Sequence, residues 1–149
     1  MMHKNPIKVV LDPGAILPTR AHELDAGYDL YSPVNVTLYP KWKGGPDNSV
    51  VIDTGVHVQI PEGYVGDVKS KSGLMMNHDI ITDGTVDAGY TGSIRVKLFN
   101  LGTGIYRIEN GQKIAQLVIK KITTPELEVV DALEETERGS GGFGSTGKF

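Results

Sequence analysis

The sequence predicts an all-β, jelly-roll-like β-barrel subunit with one short helix and a flexible, glycine-rich C-terminal tail. Three observations predict it. Short stretches of alternating or β-branched residues recur along the chain, turn-forming clusters separate them at intervals of about 8–12 residues, and helix signals are scarce. The 149 residues fit one domain, large enough to bury a core without staples.

The elements follow in order. Strands are expected near residues 7–11, 34–38, 50–60, 64–68, 93–100, 112–122 and 126–130. In the fifth, Ile94, Val96 and Leu98 point one way and Arg95, Lys97 and Phe99 the other. Turn signals sit at Gly44-Gly45-Pro46, Pro61-Glu62-Gly63, Gly102-Thr103-Gly104 and Asn110-Gly111, the last a hairpin-type pair. The expected helix covers 72–77, with Ser72 as its N-cap. No internal repeat or linker interrupts this pattern. The one break is the end of the chain, 138–149, so residues 1–137 are expected to form the barrel domain and 138–149 a mobile lid on it.

Composition narrows the function classes. Glycine is the anomaly, 19 of 149 residues, about 13% against a usual value near 7%. The absence of cysteine excludes disulfides, thiolate metal sites and cysteine nucleophiles. Fifteen basic and 18 acidic residues give a net charge of −3, which argues against a non-specific nucleic-acid or membrane-surface binder. No apolar run approaches a membrane span, and the N-terminal stretch broken by Lys8 does not read as a signal peptide. A cytoplasmic protein is the default expectation. His3, His22, His57 and His78 show no metal-ligand spacing and read as scattered surface or core residues.

Three segments carry chemistry. The tail contains Gly142-Phe143-Gly144-Ser145-Thr146-Gly147-Lys148, which has the spacing of a phosphate-binding P-loop. A P-loop must continue with Ser or Thr and open a helix, whereas Phe149 follows here and no helix can. A flexible end is the plainer reading of such a tail. Yet Arg138 offers bidentate phosphate contacts, Phe143 a stacking face and Ser145-Thr146 hydroxyls, which suits a lid over a nucleotide. In 83–92, Asp87 could be a turn former or a general base, and Tyr90 supplies a flat ring. A tight hairpin there would expose backbone groups able to read a base edge. Ser70-Lys71-Ser72-Gly73-Leu74 places a cation, hydroxyls and amides at a helix start, which fits either an anion site or an ordinary capped turn.

Taken together, five segments resemble those of the homotrimeric dUTPase (deoxyuridine triphosphate nucleotidohydrolase) family, in order and across essentially the whole chain. They are Ala26-Gly27-Tyr28-Asp29-Leu30-Tyr31-Ser32, Ser70-Lys71-Ser72-Gly73-Leu74, Gly84-Thr85-Val86-Asp87-Ala88-Gly89-Tyr90-Thr91-Gly92, Gly111-Gln112-Lys113-Ile114-Ala115-Gln116-Leu117, and the tail from Arg138 to Gly147. The resemblance implies a homotrimer whose active sites are shared between subunits, each closed by a tail. It implies hydrolysis of dUTP to dUMP and pyrophosphate with Mg²⁺, which keeps uracil out of DNA and supplies dUMP for thymidylate synthesis. By position, Asp87 would activate the attacking water, and the backbone of Gly84, Thr85, Val86 and Asp87 would pair with uracil. Tyr90 would pack on the deoxyribose and exclude a 2′-hydroxyl. Lys71, Ser72, the Gly73 amide and Gln116 would hold phosphates, and Asp29 would support the waters of the metal. Arg138, Gly144, Ser145 and Thr146 would close on the phosphates while Phe143 stacks over uracil.

Some residues depart from the family's pattern. Lys71 stands where Arg is usual, turning a bidentate contact into a point charge. Gly89 and Ile81 replace a frequent Asp and Asn, and Gln112-Lys113 replaces an acidic–Arg pair, read as a structural change. Residues 41–48, with the only Trp, read as a long surface loop. Two rival functions stand beside the hydrolase: a dCTP deaminase, for which no suitably placed glutamate is found, and a dUTP-sensing regulatory protein, which would not need Asp87.

Overall fold

A computed structural model describes residues 5–149. Its elements run β1 (Val9–Leu11), β2 (Gly27–Tyr31), β3 (Val36–Leu38), β4 (Ser49–Asp53), β5 (Val56–Val58), β6 (Tyr64–Ser70), α1 (Ser72–His78), β7 (Ile80–Ile81), β8 (Asp83–Val86), β9 (Arg95–Asn100), β10 (Tyr106–Ile108) and β11 (Lys113–Lys121). The all-β fold with one short helix is as expected. Its jelly-roll-like arrangement consists of open sheets and not one closed barrel: β2-β11-β6-β8, β4-β9-β7, β1-β5 and β3-β10. Among the described residues no helix is long and apolar enough to cross a membrane.

Period-two alternation builds the core. Ile94, Val96 and Leu98 are buried while Arg95 and Lys97 face outward, as their alternation requires. They meet Leu30, Leu38, Ile52, Val56, Val68, Ile80, Val86, Ile108, Ile114 and Leu117 in one apolar cluster. Each such side chain contributes about 1.5–3 kcal/mol by leaving water. Buried Asn100 is satisfied: its Nδ2 donates to the Gly104 carbonyl at 2.8 Å and the Leu38 carbonyl at 3.3 Å, and its Oδ1 accepts from the Gly102 N–H at 3.0 Å.

Several expectations need correction. The expected strand over 50–60 is two, because Gly55 takes φ 68 and turns the chain between β4 and β5. Lys71, not Ser72, is the N-cap of α1, and no side chain caps the helix. Asn110-Gly111 does not close a hairpin. Gly111 has positive φ and the Gln112 N–H bonds the Glu109 carbonyl, but β10 pairs with β3 while β11 pairs with β2 and β6. Likewise β8 pairs with β6, and the strand that follows it, β9, lies in another sheet, so 83–92 is an edge strand and a turn. Residues 126–130 form no strand. Leu127 and Val129, 96% and 99% exposed, find no apolar surface to alternate against within the chain. The sequence pattern does not predict strands β2, β7 and β10.

Candidate active site

The four-stranded sheet assembles one half of the site. In register, Gln116 of β11 lies between Asp29 of β2 and Lys69 of β6, and Lys69 lies beside Asp83 of β8. The Gln116 amide donates to the Ser70 carbonyl at 3.1 Å. The Ser70 hydroxyl donates to the Thr82 carbonyl and accepts from the Thr82 N–H, both at 3.0 Å. Lys71 Nζ donates to Asp29 Oδ1 at 2.6 Å, and Lys113 Nζ lies 3.3 Å from Oδ2. Asp29 is buried. Burial pushes its carboxyl up, but the hydrogen bonds and charges of Lys71 and Lys113 outweigh that and hold it below the usual carboxylate range. Ser72 and Gly73 open α1 as exposed residues, where the first N–H groups of a helix lack intrahelical partners.

The other half lies at the far end of β8. Gly84 and Thr85 pair with Val68 and Asp67, Val86 enters the core, and no strand among the described residues pairs with the outer edge. Asp87 is exposed where the strand ends, and its carbonyl accepts from the Tyr90 N–H at 3.0 Å to close a turn. The Tyr90 hydroxyl donates to the Ser93 carbonyl at 2.8 Å. Its ring lies on Gly92, where a Cβ would stand 2.5 Å from the hydroxyl oxygen. Asp87 is four residues along from Asp83, about 13 Å at roughly 3.3 Å per residue. Within one chain, therefore, the Asp87–Tyr90 turn and the Gln116–Ser72 cluster stand apart.

The tail joins neither half. Arg138 Nε donates to the Gly141 carbonyl at 2.7 Å, and local turns bond Ser145 N–H to Gly142 and Gly147 N–H to Gly144. Arg138, Phe143, Gly144, Ser145 and Thr146 are all exposed. Among the described residues no group of three His, Asp or Glu side chains could hold an ion.

Two groups near these clusters carry no signal of their role in the sequence. Lys113 reads there only as a replacement; its ion pair depends on the register of β11 against β2, which strand alternation does not give. His57 bonds the Thr91 carbonyl at 2.8 Å and the Asp12 carboxylate at 3.0 Å, and no spacing in the sequence signals it.

A family model described as dUTPase matches residues 14–147. The chain is 44% identical over 136 residues to the deoxyuridine 5'-triphosphate nucleotidohydrolase of Clostridium novyi (strain NT), covering 89% of this chain and 92% of that one. It is 44% identical over 135 residues to the human mitochondrial protein of that name, covering 90% of this chain but spanning about half (51%) of the human one. Among solved structures, the dUTPase of Staphylococcus bacteriophage 80alpha with dUPNHPP matches with a TM-score of 0.88 at 37% identity, covering 97% of this chain and 100% of that one. A point mutant of the dUTPase from phage phi11 of S. aureus, described as coordinating a structural Mg(II) ion, matches with a TM-score of 0.78 at 34% identity, covering 88% and 100%.

Proposed function

The chain belongs to the dUTPase family, and on that premise we propose that it is a dUTP diphosphatase, cleaving dUTP with water to dUMP and pyrophosphate. The observation that carries this reading is Asp87, exposed at the end of an edge strand whose outer backbone row is free to pair with a base. Asp87 takes a proton from the water as its oxygen attacks the α-phosphorus. The bond from that phosphorus to the bridging oxygen breaks, and pyrophosphate leaves. Backbone groups of Gly84, Thr85, Val86 and Asp87 read uracil, with no space for a thymine methyl and the wrong donor pattern for cytosine. Tyr90, braced on Gly92, packs against the deoxyribose. Lys71, Ser72, the Gly73 amide and Gln116 bind the phosphates.

Mg²⁺ fits this chain as an ion carried by the triphosphate. The described residues offer no carboxylate cage, and Asp29, beside the phosphate-binding lysine, would hold waters of the ion. When bound, the ion would neutralise charge on the phosphates. Residues 138–149 form the lid on a body within 1–137: Arg138, Gly144, Ser145 and Thr146 close on the phosphates, Phe143 stacks on the base, and closure excludes water.

We assign the protein a homotrimeric assembly with sites shared between subunits. Two features support it. The halves of the site stand apart within one chain, and exposed Leu127, Val129 and Leu133 face an unfilled need for apolar cover while an open groove of about 1020 Å³, lined in part by Leu17, Tyr28, Tyr64, Leu117 and Ile119, lies on the body. A cytoplasmic location suits a free-nucleotide substrate, and the product role is to keep uracil out of DNA and to supply dUMP for thymidylate synthesis.

The test is pyrophosphate release from dUTP, dCTP, dTTP and UTP, each with Mg²⁺. Turnover of dUTP far above the others is expected. Ammonia from dCTP, or failure to turn over dUTP, would overturn the reading.

A further inference from the structure

The C-terminal side of the Asp87 turn is held by one corner of the fold. Where β4 turns into β5, Thr54 Oγ1 donates to the Ile94 carbonyl at 2.6 Å, the Ser93 hydroxyl donates to Oδ1 of Asp53 at the end of β4, and Asp53 also accepts the Gly55 N–H at 2.9 Å. The third attachment is His57 of β5, whose Nδ1 meets the Thr91 carbonyl at 2.8 Å while Nε2 meets both oxygens of Asp12 at 3.0 Å. Of these attachments only the imidazole changes its donor count near neutral pH.

Both partners of the ring are acceptors. A carbonyl and a carboxylate each require an N–H, so the arrangement is complete only with His57 doubly protonated. A neutral ring has a single N–H for two acceptors, and the carboxylate is the stronger claimant. The Thr91 carbonyl would then face a lone pair, and the turn would lose that attachment. The charged groups around the ring favour the cation. These are the carboxylates Asp12, which follows β1, and Asp53 of β4, whereas Arg95 of β9 is a cation whose charge acts on Asp53 and does not favour the imidazolium. The Thr91 hydrogen bond, then Asp12, raise His57 above the ordinary histidine value.

We propose that His57 is a positioning residue for catalysis: its imidazolium holds Thr91, and through it the turn carrying Asp87 and Tyr90, and loss of one proton releases that turn. The role rests on Asp87 being the general base, which His57 does not touch. The sign follows from the bonds. Turnover should fall as pH rises through the raised His57 value, because the cation is the form that holds the turn.

The experiment follows the kinetics of dUTP with Mg²⁺ and the NMR spectrum of the full-length protein over the same pH range. In the wild type, backbone resonances of residues 87–92 should titrate together with the His57 ring, and the fall in kcat should share that midpoint. Asp12→Asn keeps the ring but removes its carboxylate, so both midpoints should move to lower pH. His57→Ala should lose that pH limb and turn over more slowly, by up to about 10²-fold, the scale of a 1 Å misplacement, with KM changed less. Resonances of the turn indifferent to the His57 titration, or an Asp12→Asn profile identical to the wild type, would overturn the positioning role alone. If dUTP is not hydrolysed at any pH, the reading of the site fails and the positioning role fails with it.

Discussion

Asp29 gives its two carboxylate oxygens to two lysines, Lys71 and Lys113, so the lysine proposed for phosphate is paired with a buried anion in this structure. The sign of its linkage is fixed. Its folded-state value is lowered, so its stabilisation is present in full above the unfolded aspartate value near 3.9 and is lost as pH falls through the lowered folded value. Asp29→Asn should therefore be less stable than the wild type at neutral pH, and the gap between their urea midpoints should close in acid. A gap that persists unchanged to the lowest pH would show that the ion pairs are not its origin. Asp29 and Lys71 are both visible in the sequence as members of motifs, but their mutual contact is not. It spans 42 positions of sequence and depends on how β2 and β6 flank β11.

At the scale of elements, the strands legible in the sequence carry a one-sided apolar alternation, as in β9, where Val96 and Leu98 alternate with Arg95 and Lys97. The strands that are not legible are short or lie inside functional segments. β7 has two residues, and β2 sits within the segment read for Asp29. The Asn110-Gly111 turn shows the limit of local signals: it bends the chain as expected, but which sheet each flanking strand joins is decided by the core. The tail raises the opposite case. Its residues read as a lid from chemistry alone, and in the single chain they bond only locally around Arg138 and Ser145. Truncation after Glu137 removes no buried side chain, so the shortened protein should keep its thermal midpoint and lose most of its turnover of dUTP. Full activity in the shortened chain would remove the lid from the mechanism.

For the whole molecule, the strand order does more than any single motif to support the proposal of a site shared between chains. It sets Gln116, Ser70 and Lys71 at one end of β6 and β8 and Asp87 at the other. All of these residues are visible in the sequence, yet their separation is a property of register and cannot be read from spacing. Two defective chains test the consequence most directly. One carries Asp87→Asn; the other carries Lys71→Ala and Ser72→Ala. Each is expected to be nearly inactive alone, since loss of a general base typically costs about 10²–10⁴ in rate. Co-expressed and purified as mixed assemblies, they should regain a clear share of wild-type pyrophosphate release from dUTP, because an intact phosphate cluster from one chain meets an intact Asp87 from another. Mixed assemblies that stay as inactive as either parent would contradict a site shared between subunits.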